Sequence, residues 1–154
     1  MNSNAMPLVS VLALVCLSSS CQHIPLALPA DDTQAKTFGT RADACGLYVY
    51  RDDHAAWNAD LELELDGIEF GETGPGHYLF TWLPPGKHDL ASHTDRDKRL
   101  PFVAKAGTLL FVRQTLAVGY WLADSKLDLV EATVGQKGVR ACTRVQTAEE
   151  AESQ

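Results

Sequence analysis

The ten residues 61–70, "LELELDGIEF", decide the fold class. Leu61, Leu63 and Leu65 alternate with Glu62, Glu64 and Asp66, the period of two that places leucines on one face of a strand and acids on the other. Asp66-Gly67 supplies the two residues that a tight hairpin turn holds at positive φ, and Ile68 and Phe70 then resume the apolar alternation. Nothing makes Glu62, Glu64, Asp66 and Glu69 converge, so they read as the solvated face of a sheet.

Toward the C-terminus, "GHYLFTWLPPGKHDL" (76–90) continues with a strand apolar on both faces at Tyr78, Leu79, Phe80, Trp82 and Leu83, which predicts a central position in a packed sheet. Pro84-Pro85-Gly86 ends it, because proline cannot donate to the ladder. Pro85 and Gly86 suit the two corner positions of a type II turn, after which the chain reverses. In the returning strand His88 shares its parity with Leu90 and is expected at the rim of the core. Toward the N-terminus, "CGLYVYR" (45–51) is a β-branched and aromatic run typical of a strand. After the turn at Gly107, "TLLFVRQTL" and "GYWLADSKLDLVEA" supply two or three more strands, while "TDRDKR" (94–99) reads as a solvated loop. These readings predict an all-β domain, a small antiparallel β-sandwich of about seven or eight strands over residues 44–145.

The chain has 154 residues, enough for a single core. Its formal charge is −7, with 20 acidic against 13 basic side chains, and no stripe of Lys or Arg that would mark a nucleic-acid partner. Residues 1–20 carry no charged side chain and hold an apolar run from Pro7 to Leu17, too short to span a bilayer and shaped like the core of a signal peptide. "LSSSC" then puts three serines directly before Cys21, the setting in which a lipoprotein signal peptidase cleaves ahead of an acylated cysteine. Ser18 stands where such a site commonly has an aliphatic residue. Ordinary secretory cleavage, after Ser20 or Ala30, is the alternative and leaves a soluble periplasmic or secreted protein.

Lipidation of Cys21 would tie the protein to a membrane. Gln22, in place of the Asp that retains lipoproteins at an inner membrane, points to the periplasmic side of an outer membrane. Residues 22–43 mix prolines, small residues and charges without a period and are expected to be a flexible linker. The acidic tail 146–154 is expected to be disordered. With Cys16 in the leader and Cys21 acylated, Cys45 and Cys142 remain as candidates for a disulfide in an oxidising compartment. Closing so long a loop is worth about 4–5 kcal/mol in the chain-entropy model. Two separately buried thiols are the alternative.

Three stretches, "YVYR", "LELDGIEFGETGPGHYLFTWLPPGKHDL" and "AGTLLFVRQ", in this order and spacing resemble the bacterial exported family called domain of unknown function 2846. They are also similar to PEGA-type repeats, which share a D-G hairpin, a second Gly and then L-P-P-G-x-H. The resemblance covers residues 44–131 and implies a small, often lipid-anchored β-sandwich with no established activity.

No nucleophile motif, HExxH pair or phosphate-cradling loop is present, and no cofactor or metal is implied. His88 and His93 lie five apart, on opposite faces of a regular strand. The function expected is therefore a non-catalytic interaction or structural module of the cell envelope, with an envelope protein, peptidoglycan or polysaccharide as partner. The competing expectation is a hydrolase or metal-dependent enzyme using His77, His88 or His93 with Asp89 or Asp95.

Overall fold

The computed structural model describes residues 24–53, 60–94, 97–118 and 123–153. The leader, Cys21, His54 and Asp95 lie outside the described residues. Two sheets face one another. One has five strands in the order β8-β7-β1-β4-β9, built from β1 (Cys45–Arg51), β4 (His77–Leu83), β7 (Leu109–Val118), β8 (Ala123–Val130) and the short β9 (Thr143–Arg144). The other has four in the order β3-β2-β5-β6, from β2 (Leu61–Leu65), β3 (Ile68–Thr73), β5 (Gly86–Ser92) and β6 (Lys98–Ala104). The sandwich is mixed rather than wholly antiparallel, because β1 runs parallel to β7 and β4 parallel to β9.

The leucine period buries Leu61 and Leu63, and Leu63 joins Leu47, Val49, Leu79, Leu90, Phe102 and Val112 in the inter-sheet core. Asp66 and Gly67 take φ values of 55° and 83°, the positive values the hairpin requires. A bulge follows. Leu63 pairs with Gly71 but Glu64 pairs with Glu69, so Phe70 is the extra residue. Phe70 turns inward, whereas Ile68, expected to share its burial, stands 73% exposed beside the turn.

At one end the core becomes polar. Gln114 accepts a hydrogen bond from the Thr73 hydroxyl and donates to Ser92 Oγ at 2.9 Å, and Ser92 reaches Ser125 Oγ at 2.8 Å. All four side chains are buried and mutually bonded, which removes the penalty of leaving them unmade.

Pro84-Pro85-Gly86 departs from the expected type II turn. β4 and β5 belong to different sheets, so the prolines form a corner that carries the chain across the sandwich. Gly86 has φ +154° rather than the +80° of a type II corner, still a region that disfavours side chains. The "solvated loop" is also shortened, because Lys98 and Arg99 already belong to β6. Pro101 is tolerated there because β6 is an edge strand.

β1 and β4 are apolar on both faces because helices cover the outside of their sheet. Tyr48, Tyr50, Tyr78, Phe80 and Phe111 form a second cluster on that outer face with Ala35, Val139 and Cys142. The helix α2 (Ala132–Ala141) packs on β1 and β7 through Gly135 and Gly138. A Cβ at Gly138 would lie 2.1 Å from Tyr50, and one at Gly135 would lie 2.2 Å from Phe111. The glycines, which break helical patterning in the sequence, are what allow the close approach.

The expected linker is part of the fold. Ile24 is buried, Leu26 pairs with Val145, and α1 (Pro29–Ala35) lies on the outer face. Asp32 fastens it, accepting from Lys36 Nζ at 2.9 Å, Tyr78 Oη at 2.8 Å and the Arg144 amide at 3.1 Å. Burial works against the Asp32 charge, but the bonds from Lys36 and Tyr78 outweigh it and hold its pKa below the usual range. The tail is ordered too. α3 (Ala148–Glu152) starts from a reciprocal cap in which Glu150 N donates to Thr147 Oγ1 at 3.3 Å and Thr147 N donates to Glu150 Oε2 at 3.0 Å.

The expected disulfide is absent. Cys45 opens β1 and faces the inter-sheet core, near Thr108 Oγ1 at 3.5 Å. Cys142 lies against the other face, its Sγ 3.5 Å from the carbonyl oxygen of Arg51 at the far end of the same strand. The six steps between Cys45 and Arg51 span ~20 Å, so the thiols sit far beyond bridging reach. Burial pushes the Cys142 thiol up to about 12.

Candidate binding groove

Alternation along β4 puts Tyr78, Phe80 and Trp82 on its outer face. α1 covers the first part of that face, where Tyr48 Oη donates to the Ala35 carbonyl at 2.7 Å. Past the end of α1 the cover stops, and a groove of about 690 Å³ opens over Phe80, Thr81 and Trp82. One wall is the chain from Asp31 to Arg41, and the other is Arg144 with α3. A second depression, of about 270 Å³, adjoins it toward Leu65, Ile68 and Phe70. Both share Thr81, Trp82, Thr147 and Glu149 as lining.

Trp82 stands between the two halves. Phe80 braces it edge-on at 5.2 Å, and the Arg41 guanidinium lies over its ring at 5.4 Å, held from behind by Asp43 at 3.0 Å. Arg144 comes from β9, its side chain only 9% exposed. It spans Phe80 at 5.6 Å from the ring centre and donates through Nη2 to Glu150 Oε1 at 2.6 Å. Its Nε, also buried, has no hydrogen-bond partner. A buried N–H left unmade costs about 1–3 kcal/mol, more on a charged group.

The three described histidines lie in separate places. His88 reaches Asp66 Oδ2 through Nδ1 at 2.6 Å and the Pro84 carbonyl through Nε2 at 2.9 Å, and stacks on Phe102 at 5.7 Å. Both partners are acceptors, so the site suits the imidazolium, in which both ring nitrogens donate. Burial opposes that charge, but the bonds to Asp66 and the Pro84 carbonyl, with the Asp66 charge, together raise the His88 pKa. His88 thus ties the D-G hairpin to the P-P-G corner. Asp66 does more than turn the chain, since its Oδ1 also accepts from the Asp89 amide at 2.9 Å. His93 lies outside the four-stranded sheet between Glu64, at 3.3 Å, and Asp97, at 3.2 Å. His77 begins β4, at the opposite end from Trp82. Asp89 is engaged by Arg99 at 2.5 Å. Among the described residues, no three His, Cys, Asp or Glu side chains converge as a metal site would need.

Sequence reasoning placed the strand under the groove but missed Trp82, Arg41 and Arg144 as a set. The available signal was the shared parity of Tyr78, Phe80 and Trp82. Arg144 gave none, because its position depends on β9 pairing across a long stretch of chain.

Comparison with known proteins defines no family. No protein-family model matches the chain, and no solved structure matches it. An uncharacterized protein of Haemophilus influenzae is similar, 24% identical over 132 residues that cover 84% of this chain and 79% of that protein.

Proposed function

We propose that the chain is an exported, lipid-anchored, non-catalytic binding module of the cell envelope that engages its partner through the groove over Trp82. The observation that carries binding is the groove itself, floored by Phe80, Thr81 and Trp82 of β4 and walled by the chain from Asp31 to Arg41 and by Arg144 with α3. Histidines and acids dispersed over separate faces favour recognition over hydrolysis. The apolar leader and "LSSSC" support the address, and the order of the D-G hairpin and L-P-P-G corner supports kinship with the domain of unknown function 2846 and PEGA-type domains. Because Ile24 is buried only three positions after Cys21, an acylated Cys21 would hold the domain close against its leaflet rather than on a long tether. Mass spectrometry of the mature N-terminus tests the address. A diacylated Cys21, lost with membrane partitioning in Cys21→Ala, is the expected result; an unmodified N-terminus beginning beyond Cys21 overturns the anchor.

A further inference from the structure

We propose that the partner enters the groove as an extended peptide with basic flanks, adding itself as a strand to the free edge of β4 beside Phe80 and Trp82. This deepens the binding-module reading and rests on it. β4 runs from His77 to Leu83, but β9 pairs with only His77 and Tyr78. The chain then turns away from β4, since Leu26 pairs with Val145 and Gln146 N donates to the Pro25 carbonyl at 2.9 Å. From Phe80 onward that edge of β4 has no neighbouring strand.

The hydrogen bonds fix which groups the edge presents. Thr143 N donates to the Gly76 carbonyl at 2.8 Å and Val145 N to the Tyr78 carbonyl at 2.9 Å, so the even-numbered positions of this stretch turn their backbone toward the β9 side. By the alternation of a strand, the N–H and C=O of Phe80 and Trp82 point the same way, while those of Leu79 and Thr81 face β1. Among the described residues no backbone group bonds Phe80 or Trp82 from that side. Two donors and two acceptors therefore stand in register, the ladder that an added strand completes. The Trp82 ring stays under Arg41, because the contact is to its backbone.

The surroundings of the edge select the occupant. The larger depression lies on the outer face of β4, against Tyr48 and Phe80, and the smaller on the inner face, against Phe70 and Leu83. They meet at Thr81 and Trp82, so alternate side chains of a strand on this edge would enter the two in turn. On the inner side Ile68, exposed at the start of β3, offers an apolar contact that the fold leaves uncovered. The chain from Thr37 to Arg41 and α3 stand up as walls, which suits a single extended segment rather than the whole sheet of a second copy. Charge decides the flanks. Arg41 and Arg144, the two cations of the lining, are held by Asp43 and Glu150. Asp31, Glu69 and Glu149 are exposed and have no cationic partner among the described residues. Lysine or arginine at the ends of the peptide would meet these acids, and an acidic segment would be repelled.

The test is calorimetric titration and amide hydrogen exchange of the full chain in detergent micelles, with a peptide of alternating valine and threonine carrying two lysines at each end. Binding is expected, with exchange of the Phe80 and Trp82 amides slowed at least ten-fold by the peptide, while Leu79 and Thr81, bonded to β1, are slow throughout. The same peptide N-methylated at every valine and threonine keeps its side chains but loses its backbone donors, and should bind at least ten-fold more weakly. A version with glutamates in place of the lysines should be weaker to a similar degree. Ile68→Ser, at an exposed position, should weaken the lysine peptide several-fold. Glu149→Lys should weaken the lysine peptide and tighten the glutamate one, a reversal that loss of folding would not produce. Equal binding by the N-methylated peptide overturns strand addition while leaving a groove that binds. Binding that leaves Phe80 and Trp82 unprotected and is unchanged in Glu149→Lys places the peptide elsewhere and overturns the groove as well. Concentration-dependent protection of the two amides without peptide would make a second copy the occupant and overturn the peptide. Absence of peptide binding overturns strand addition, while ultraviolet crosslinking from the rim at position 149 reads the binding module independently.

Discussion

Gly138→Ala tests whether α2 is seated on the sheet as described. In an exposed helix, replacing glycine by alanine stabilises by about 1 kcal/mol. Here the added methyl would lie 2.1 Å from Tyr50 Cε2 and 2.7 Å from Cζ, against the ~3.5–4.0 Å of an ordinary carbon contact. Tyr50 is fully buried on a strand held by β4 and β7, so it has no free space to turn into, and the helix must move out instead. Overpacking of this kind costs about 1–3 kcal/mol, and a gap short by ~1.5 Å belongs at the upper end. After the helix-propensity gain, the net loss is about 2 kcal/mol, a fall in Tm of ~8 °C at roughly 4 °C per kcal/mol for a domain of this size. Urea and thermal unfolding followed by circular dichroism measure it, with Thr133→Ala on the exposed side of the same helix as a control that should stabilise by about 0.5 kcal/mol through propensity alone. Adding Tyr50→Leu to Gly138→Ala should make the two changes less costly together than their sum. A Gly138→Ala variant about 1 kcal/mol more stable than the parent would refute the packing of α2 on β1.

Gly86→Val should cost more than about 1 kcal/mol, because a β-branched residue is strained at the positive φ of the corner, and the same unfolding assay reads it. The His88–Asp66 pair gives a pH dependence. His88, with its folded pKa raised, contributes stability that is complete below about pH 6.5 and is lost as pH rises through the folded value. Asp66, with its folded pKa lowered because the bonds from His88 and the Asp89 amide overcome burial, contributes above about pH 4. That contribution is lost as pH falls through the folded value. Unfolding midpoints should therefore show a weakly acidic maximum in wild type that flattens in His88→Ala; an unchanged profile would exclude the pair. Cys45 and Cys142 should both alkylate in urea without reductant, and Cys142 should resist alkylation in the folded protein at pH 8. Recovery of a Cys45–Cys142 crosslinked peptide would contradict the separation described.

The strands were legible because their signals are local: the leucine period of β2, the positive-φ pair Asp66-Gly67 and the run that became β1. The helices were not, for distinct physical reasons. α2 carries its contact on Gly135 and Gly138, which local propensity counts against a helix but close packing demands. α1 is too short to show a period, and its stability comes from Asp32 reaching Tyr78 and Arg144, partners far along the chain. The tail appeared unable to fold because it has little to bury, yet the Thr147–Glu150 cap and the Arg144–Glu150 pair order it without much apolar burial. The T-A-E-E spelling of that cap is a signal a closer reading would use. The groove was half legible, since its floor is a strand and its walls are those long-range contacts.

The proposed function makes the Trp82 groove the face through which this protein engages its partner. It is tested most directly by placing a photocrosslinking amino acid at position 149, on the exposed rim shared by both depressions, and separately at Val103, 55% exposed on the opposite sheet, in cells carrying the full chain. Ultraviolet-dependent adducts should form from position 149 and disappear in Trp82→Ala, with none from position 103. Equal labelling at the two positions, or adducts from position 103 alone, would contradict it.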